Sequence, residues 1–283
     1  MSHTRLQACL LLLSAVLVVP HSVRAQNGES VPSASLQFSL VATDAEVVVN
    51  FAMDSSYVAG RLPRGVKPFT MRDMAARGDS TIGILLGLRP DYASRVFASF
   101  SVAKIDSTAV GKAGTGKANV IAYWWVPVEV VDPSVVPAGS AAANGEAVVE
   151  LAFWSNDEEL ARQLGTVMPN VSKAAVRMRN GPSGTWRGEF NGSGSRIVAS
   201  CRLVGEAEPM PYDPPAYVTV WAGGSEPGAR AVYTYTGHRS QPCVLNVDVD
   251  GEGPLARALR GAVMFGGTNL SGWRAHAAAY PRQ

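Results

Sequence analysis

This chain is short of the residues that usually carry chemistry. In 283 residues it has three cysteines and four histidines. Cys9, His3 and His21 fall within the first 25 positions. The remainder, Cys201, Cys243, His238 and His276, has no close Cys/His spacing, so no metal centre is expected. No run reaches the ~18 continuous apolar residues of a spanning helix, which excludes a helical membrane span. An excess of one charge is also missing. Beyond residue 25 the chain holds 23 basic and 23 acidic residues, counted after removing Arg5 and Arg24. A balanced surface speaks against a nucleic-acid partner and against a polybasic membrane anchor. Internal repeats and low-complexity domains are absent, and no residue set points to a cofactor.

What the chain does have is a distinctive start. Arg5 precedes the short apolar run Leu10–Val19, broken only by Ser14, and Val23 and Ala25 occupy the small-residue positions ahead of Gln26. This is the anatomy of a secretory signal peptide. Residues 1–25 are therefore expected to be cleaved near Ala25, leaving an exported protein, periplasmic or extracellular. Residues 26–35 read as a flexible lead-in and 36–283 as a single domain, long enough to bury a core. In an oxidising compartment the two remaining cysteines, Cys201 and Cys243, are expected to form one bridge; two buried free thiols are the alternative.

Short β-branched and aromatic runs dominate the rest. Leu36–Phe51, Val120–Val131 and Gly145–Trp154 read as strands. Val96–Val102 alternates, as a half-buried strand does. Further strands fall at 173–179, 184–190, 195–204, 216–222, 230–236, 243–249 and 273–280. Thr70 and Asp79 are placed to cap helices ending at Ala76 and Leu88. Asn156–Leu164 reads as an acidic-headed helix, and Pro254 opens a last one. The pattern predicts an α+β fold: one large antiparallel β-sheet closed into a cone-like barrel, with a few short helices.

Several motifs look chemical and have plainer readings. Gly111–Lys117 nearly matches a phosphate-binding loop, but Ala118 stands where Ser or Thr should hold magnesium, and strand follows where a helix should open. Asp248-Val249-Asp250-Gly251 begins like a calcium loop, yet its twelfth position is Leu259. Gly181-Pro182-Ser183-Gly184-Thr185 lacks the last glycine of a nucleophile elbow, and His238 alone reads as structural. Asn170, Asn191 and Asn269 each begin an Asn-x-Ser pattern, which has meaning only in a host with the glycosylation machinery.

The middle of the chain resembles the acetoacetate decarboxylase-like superfamily. The likeness begins at Leu62-Pro63-Arg64-Gly65-Val66-Lys67-Pro68. It is clearest from Ser155 to Phe190, where an acidic helix carrying Arg162 is followed by Met168-Pro169-Asn170-Val171-Ser172-Lys173 and then Gly184–Phe190. The resemblance implies a cone-shaped barrel around a small-molecule cavity. It also implies imine chemistry at a lysine pair after the proline, and here Asn170 and Val171 stand in those places. Asn cannot form an imine. A lysine that does so is activated by desolvation or a neighbouring cation; the family's namesake enzyme is a standard illustration of this.

These readings converge on an exported barrel that binds a small apolar or carboxylate-bearing molecule in a central cavity, with transformation of that molecule left open and Schiff-base decarboxylation not expected. Arg162 is the expected anion anchor, because a guanidinium grips a carboxylate with two parallel hydrogen bonds. Trp124 and Trp125, with Tyr123, are expected at the cavity wall. The alternatives are a lyase using Lys173 as its imine-former and a purely structural secreted β protein.

Overall fold

The computed structural model describes residues 36–42, 45–110, 113–114, 118–132, 146–166, 168, 170–209, 216–222 and 230–280. The expected signal peptide and lead-in lie outside these residues, as does most of the Gly111–Lys117 motif.

Strands β1 (Leu36–Ala42), β2 (Glu46–Met53) and β3 (Val66–Pro68) come first, followed by two helices, α1 (Met71–Ala76) and α2 (Ser80–Leu88). Then come β4 (Val96–Ile105), β5 (Ser107–Val110), β6 (Ala113–Gly114), β7 (Asn119–Val130) and β8 (Glu146–Ser155). Helix α3 (Glu158–Gly165) leads to β9 (Val171–Lys173), β10 (Ala175–Gly181), β11 (Thr185–Gly192), β12 (Ser195–Leu203) and β13 (Glu208–Pro209). After these lie β14 (Ala216–Ala222), β15 (Arg230–Thr236), β16 (Arg239–Gly251), α4 (Pro254–Arg260), β17 (Val263–Ser271) and β18 (Trp273–Tyr280).

Local chemistry starts the helices. Thr70 and Asp73 form a reciprocal capping box at α1. One carboxylate oxygen of Asp79 accepts from the Thr81 and Ile82 N–H groups at α2. Asp157 accepts from Leu160 N–H at α3. At α4, Pro254 fills the first turn, where its missing N–H costs nothing. The β11–β12 hairpin turns on Ser193 and Gly194, both at positive φ, the twist a two-residue loop needs.

Hydrogen-bonded ladders run β10–β11–β12–β16–β17–β2–β4–β7–β8, and continue from β8 through β14, β15 and β18 to β1 and β5. The result is a nearly closed, ten-strand barrel-like sheet with few helices, as the strand pattern predicts. Two ladders depart from the expected antiparallel sheet. β14 pairs parallel with Val148–Glu150, and β9 pairs parallel with Phe153–Ser155, along the same edge of β8. The single strand expected over Leu36–Phe51 is two, because β1 pairs with β18 and β5 whereas β2 pairs with β17 and β4. Strand β17 is not among the strands expected from the sequence. Gly267 is there for closeness: a Cβ on it would sit 2.9 Å from Leu245 Cβ and 3.0 Å from Cys243 Sγ.

The central strands are covered on both sides. The main core gathers Val49, Phe51, Phe100, Trp124, Trp154, Phe190 and Leu259, joining β2, β4, β7 and β8 to the curled-over β10–β12 and α4. A second cluster on the other side holds Ile105, Ile121, Phe153, Leu160, Leu164 and Trp273. Strand β4 is buried at nine of its ten positions, Ser99 and Ser101 included, so it is not the half-buried strand its alternation predicts. Cys201 and Cys243, on neighbouring strands β12 and β16, form the expected disulfide, at a Cα–Cα distance of 5.3 Å.

Candidate functional site

Alternation along β7 separates the three adjacent aromatics. Trp124 is 1 % exposed and belongs to the main core, whereas Tyr123 packs with the second cluster. Trp125 is half-buried and stands one residue from Trp124, on the opposite face of the strand. The two tryptophans expected at one wall therefore do not share it. Trp124 presents a buried indole N–H with no hydrogen-bond partner, an arrangement that costs free energy unless a partner arrives.

Over that ring lies a guanidinium that sequence reasoning missed. Arg61 follows the turn closed by its own N–H to Val58 C=O, and next to it Leu62 packs onto the main core. Arg61 Cζ is 5.4 Å from the Trp124 ring centroid. Burial pushes the Arg61 pKa down, and the neighbouring charge of Arg257 on α4 pushes the same way. Arg61 is half-buried and has no carboxylate partner among the described residues. An unpaired guanidinium, an aromatic ring and an unmatched N–H thus occur together, with a second cation, Arg257, near enough to be felt while its own Nη1 donates to Glu252 C=O. The only signal was its place beside Leu62-Pro63, at the head of the resemblance.

Arg162, the expected anion anchor, is on the exposed side of α3. Its guanidinium grips Glu159 bidentately, Nε to Oε2 at 2.8 Å and Nη2 to Oε1 at 2.5 Å. Its fork is filled by a residue of its own helix. Lys173, at the end of β9, is 58 % exposed and pairs with Glu158 at 2.7 Å. Neither shares a core with Trp124.

Asn170 sits where β9 and β14 leave a gap along β8. Its Nδ2 donates to the Glu150 carbonyl at 2.5 Å, while its Oδ1 is buried without a partner. Glu150 itself is buried, its Oε2 unpartnered, and burial pushes its carboxyl up to about 8. A register shift opposite Trp124 and Trp125 puts Glu150 across from Trp125. A second buried acid, Glu46, accepts from Tyr123 Oη. Burial raises its pKa too, opposed by the hydrogen bonds of Tyr123, Ser101 and Trp273.

Other motif residues lie in the core and on turns. His238 is buried with its ring 6.1 Å from that of Trp273, and burial lowers its pKa to about 4. Ser183 lies on an exposed turn before β11. Arg260 Nη2 donates to Gly251 C=O and Glu252 Oε1, bracing the acidic turn into α4. Among the described residues no group of three or more His, Cys, Asp or Glu could hold a metal, and no helix is long and apolar enough to cross a membrane.

No protein-family model and no curated protein sequence matches the chain. Solved structures do. An acetoacetate decarboxylase-like enzyme from Sphingomonas wittichii RW1 superposes with TM-score 0.55 at 10 % identity, over 94 % of this chain and 99 % of that one. Acetoacetate decarboxylase from Legionella pneumophila gives 0.53 at 9 %, over 92 % and 91 %. The enduracididine biosynthesis enzyme MppR, complexed with the condensation product of pyruvate and imidazole 4-carboxaldehyde, gives 0.52 at 13 %, over 93 % and 98 %. At such identities the likeness establishes architecture, and the chain has the fold of the acetoacetate decarboxylase-like enzymes.

Proposed function

We propose that this is an exported protein that binds a small carboxylate-bearing molecule with an apolar body, and that it does so without imine chemistry. The observation that carries the reading is Arg61, a partly desolvated guanidinium with no acid partner, over a buried tryptophan. A carboxylate is the ligand group that accepts two parallel hydrogen bonds from such a fork. Arg257 adds positive potential from α4. The absence of a lysine at Asn170 and Val171, with Lys173 exposed, supports binding rather than decarboxylation. Export rests on Leu10–Val19 and the Ala25 site, and the disulfide is compatible with it.

The test is a thermal-shift and calorimetric screen of small 2-oxo acids and aromatic carboxylates against the mature chain, beside their amides. Binding raises the melting temperature in proportion to ligand saturation. Carboxylates should bind and their amides should not, and Arg61→Gln should lose the binding while melting like the parent without ligand. Equal binding by Arg61→Gln would remove Arg61 from the site, and silence across both panels would remove the reading altogether.

A further inference from the structure

The outward face of the β10–β11–β12 meander carries a cluster of arginines that neither the interior nor the fold accounts for. Alternation sends Val176, Phe190, Ile197 and Cys201 into the main core. The residues facing the other way include Arg177 and Arg179 on β10, Arg187 on β11, and Arg196 and Arg202 on β12, all exposed. Register makes four of them neighbours. Arg179 is directly opposite Arg187, and Arg177 is two residues along β10. Arg202 faces Thr185, two residues along β11 from Arg187. With strands about 4.8 Å apart, these four guanidiniums occupy one continuous patch across three strands.

The patch is under-neutralised. On these three strands its one acid is Glu189, bound to Arg187 Nε at 2.9 Å, and Asp248 and Asp250 on β16 border it opposite Val198 and Arg196. Arg177, Arg179 and Arg202 make no ion pair among the described residues. Like charges directly opposite each other on a sheet are destabilising, so the Arg179–Arg187 pair costs the fold stability and does nothing for packing. General basicity does not explain it either, because the chain beyond residue 25 is charge-balanced.

We propose that this face binds a linear polysaccharide bearing carboxylate or sulfate groups. Guanidiniums match both groups bidentately, and repeated anions along an extended chain can engage several at once. A nucleic acid fits less well. Single strands are held by aromatic platforms besides charge, and duplexes by an element inserted into a groove. The outward positions of these strands hold no aromatic residue; Trp186 packs against the core instead. The inference is independent of the interior site.

The experiment measures affinity of the mature chain for dextran sulfate and for polygalacturonate across a salt series, with single- and double-stranded DNA of matched charge alongside. One variant carries Arg179→Gln and Arg187→Gln together. It relieves an opposed pair and gives up the exposed Arg187–Glu189 ion pair, so it should fold about as stably as the parent. A second, Arg89→Gln, removes an exposed cation elsewhere. At least one polysaccharide should bind, weaken as salt rises, and bind at least ~10-fold more weakly to the double variant while Arg89→Gln binds as the parent does. The choice of polysaccharide that binds tells sulfate from carboxylate. Absence of binding to both polymers, undiminished binding by the double variant, or DNA binding as tight as the best polysaccharide would each overturn the proposal.

Discussion

Lys173 Nζ lies 2.7 Å from Glu158 Oε2, tying the end of β9 to the first turn of α3 at the exposed surface. An imine-forming lysine must be kept neutral, and desolvation, the usual means, is missing at a side chain so open to water. Borohydride trapping with a panel of keto acids should therefore leave no adduct on Lys173. Lys173→Ala should change stability by less than ~1 kcal/mol, as exposed ion pairs do. A stable adduct located at Lys173 by peptide mapping would make a lyase the better reading.

Stability should follow a dome with pH. Glu150 keeps its proton to about 8 in the folded chain, against 4.5 ordinarily. The unfolded chain thus ionises first, and stability falls as pH rises from about 4.5 to about 8, then levels off. Glu46, also raised, adds to the same limb. His238 behaves oppositely. Its folded value of about 4 lies below the ordinary 6.5, so stability falls as pH drops through that interval. Between about 4.5 and 6.5 the two slopes oppose each other, so urea titrations from pH 4 to 9 should show the fall above about 6.5 in the parent and uncover the His238 limb once Glu150 is replaced. Glu150→Gln should flatten the alkaline one, a gain on the order of a few kcal/mol at pH 8.5. An unchanged alkaline limb in that variant would show that Glu150 ionises normally.

The Cys201–Cys243 bridge closes a loop with a sequence separation of 42. Chain-entropy reasoning assigns such a loop about 4 kcal/mol. Replacing both cysteines by alanine should lower the denaturant midpoint by a corresponding amount. Thiol labelling of the denatured, unreduced parent should find no reactive thiol in the mature chain; two labelled cysteines would contradict the bridge.

Gly188 on β11 faces Val102, and a Cβ there would stand 2.8 Å from Val102 Cβ. Gly188→Ala should cost about 1–3 kcal/mol by overpacking. Val102→Ala should recover part of that loss, so the double variant is more stable than the two single effects predict. Strict additivity in chemical denaturation would mean that the two residues do not meet.

Some features are visible in the sequence because their causes are local. The caps at Thr70, Asp79 and Asp157 involve hydrogen bonds to residues two or three positions on, so helix starts are legible from neighbours alone. The loss of a lysine pair at Asn170 and Val171 is likewise a matter of residue identity. So is the pool of two cysteines beyond residue 25, which leaves a single pairing.

The site itself depended on how distant segments pack. Alternation says that Trp124 and Trp125 point opposite ways, but only the covering of β7 by the main core decides which is buried. Arg162 and Arg61 are chemically alike. One meets Glu159 on its own helix, and the other is carried by a turn onto an aromatic ring whose β-strand begins almost sixty residues later. Strand β4 lost its apparent solvent face because the second cluster covers Ala103 and Ile105 and residues of α1 and α2 cover Phe97. Sequence by itself determined the helix starts, the absence of lysine at positions 170 and 171, and the available disulfide. Tertiary structure alone decided the burial of Glu150 and the surroundings of Arg61, because desolvation there is set by residues far away along the chain.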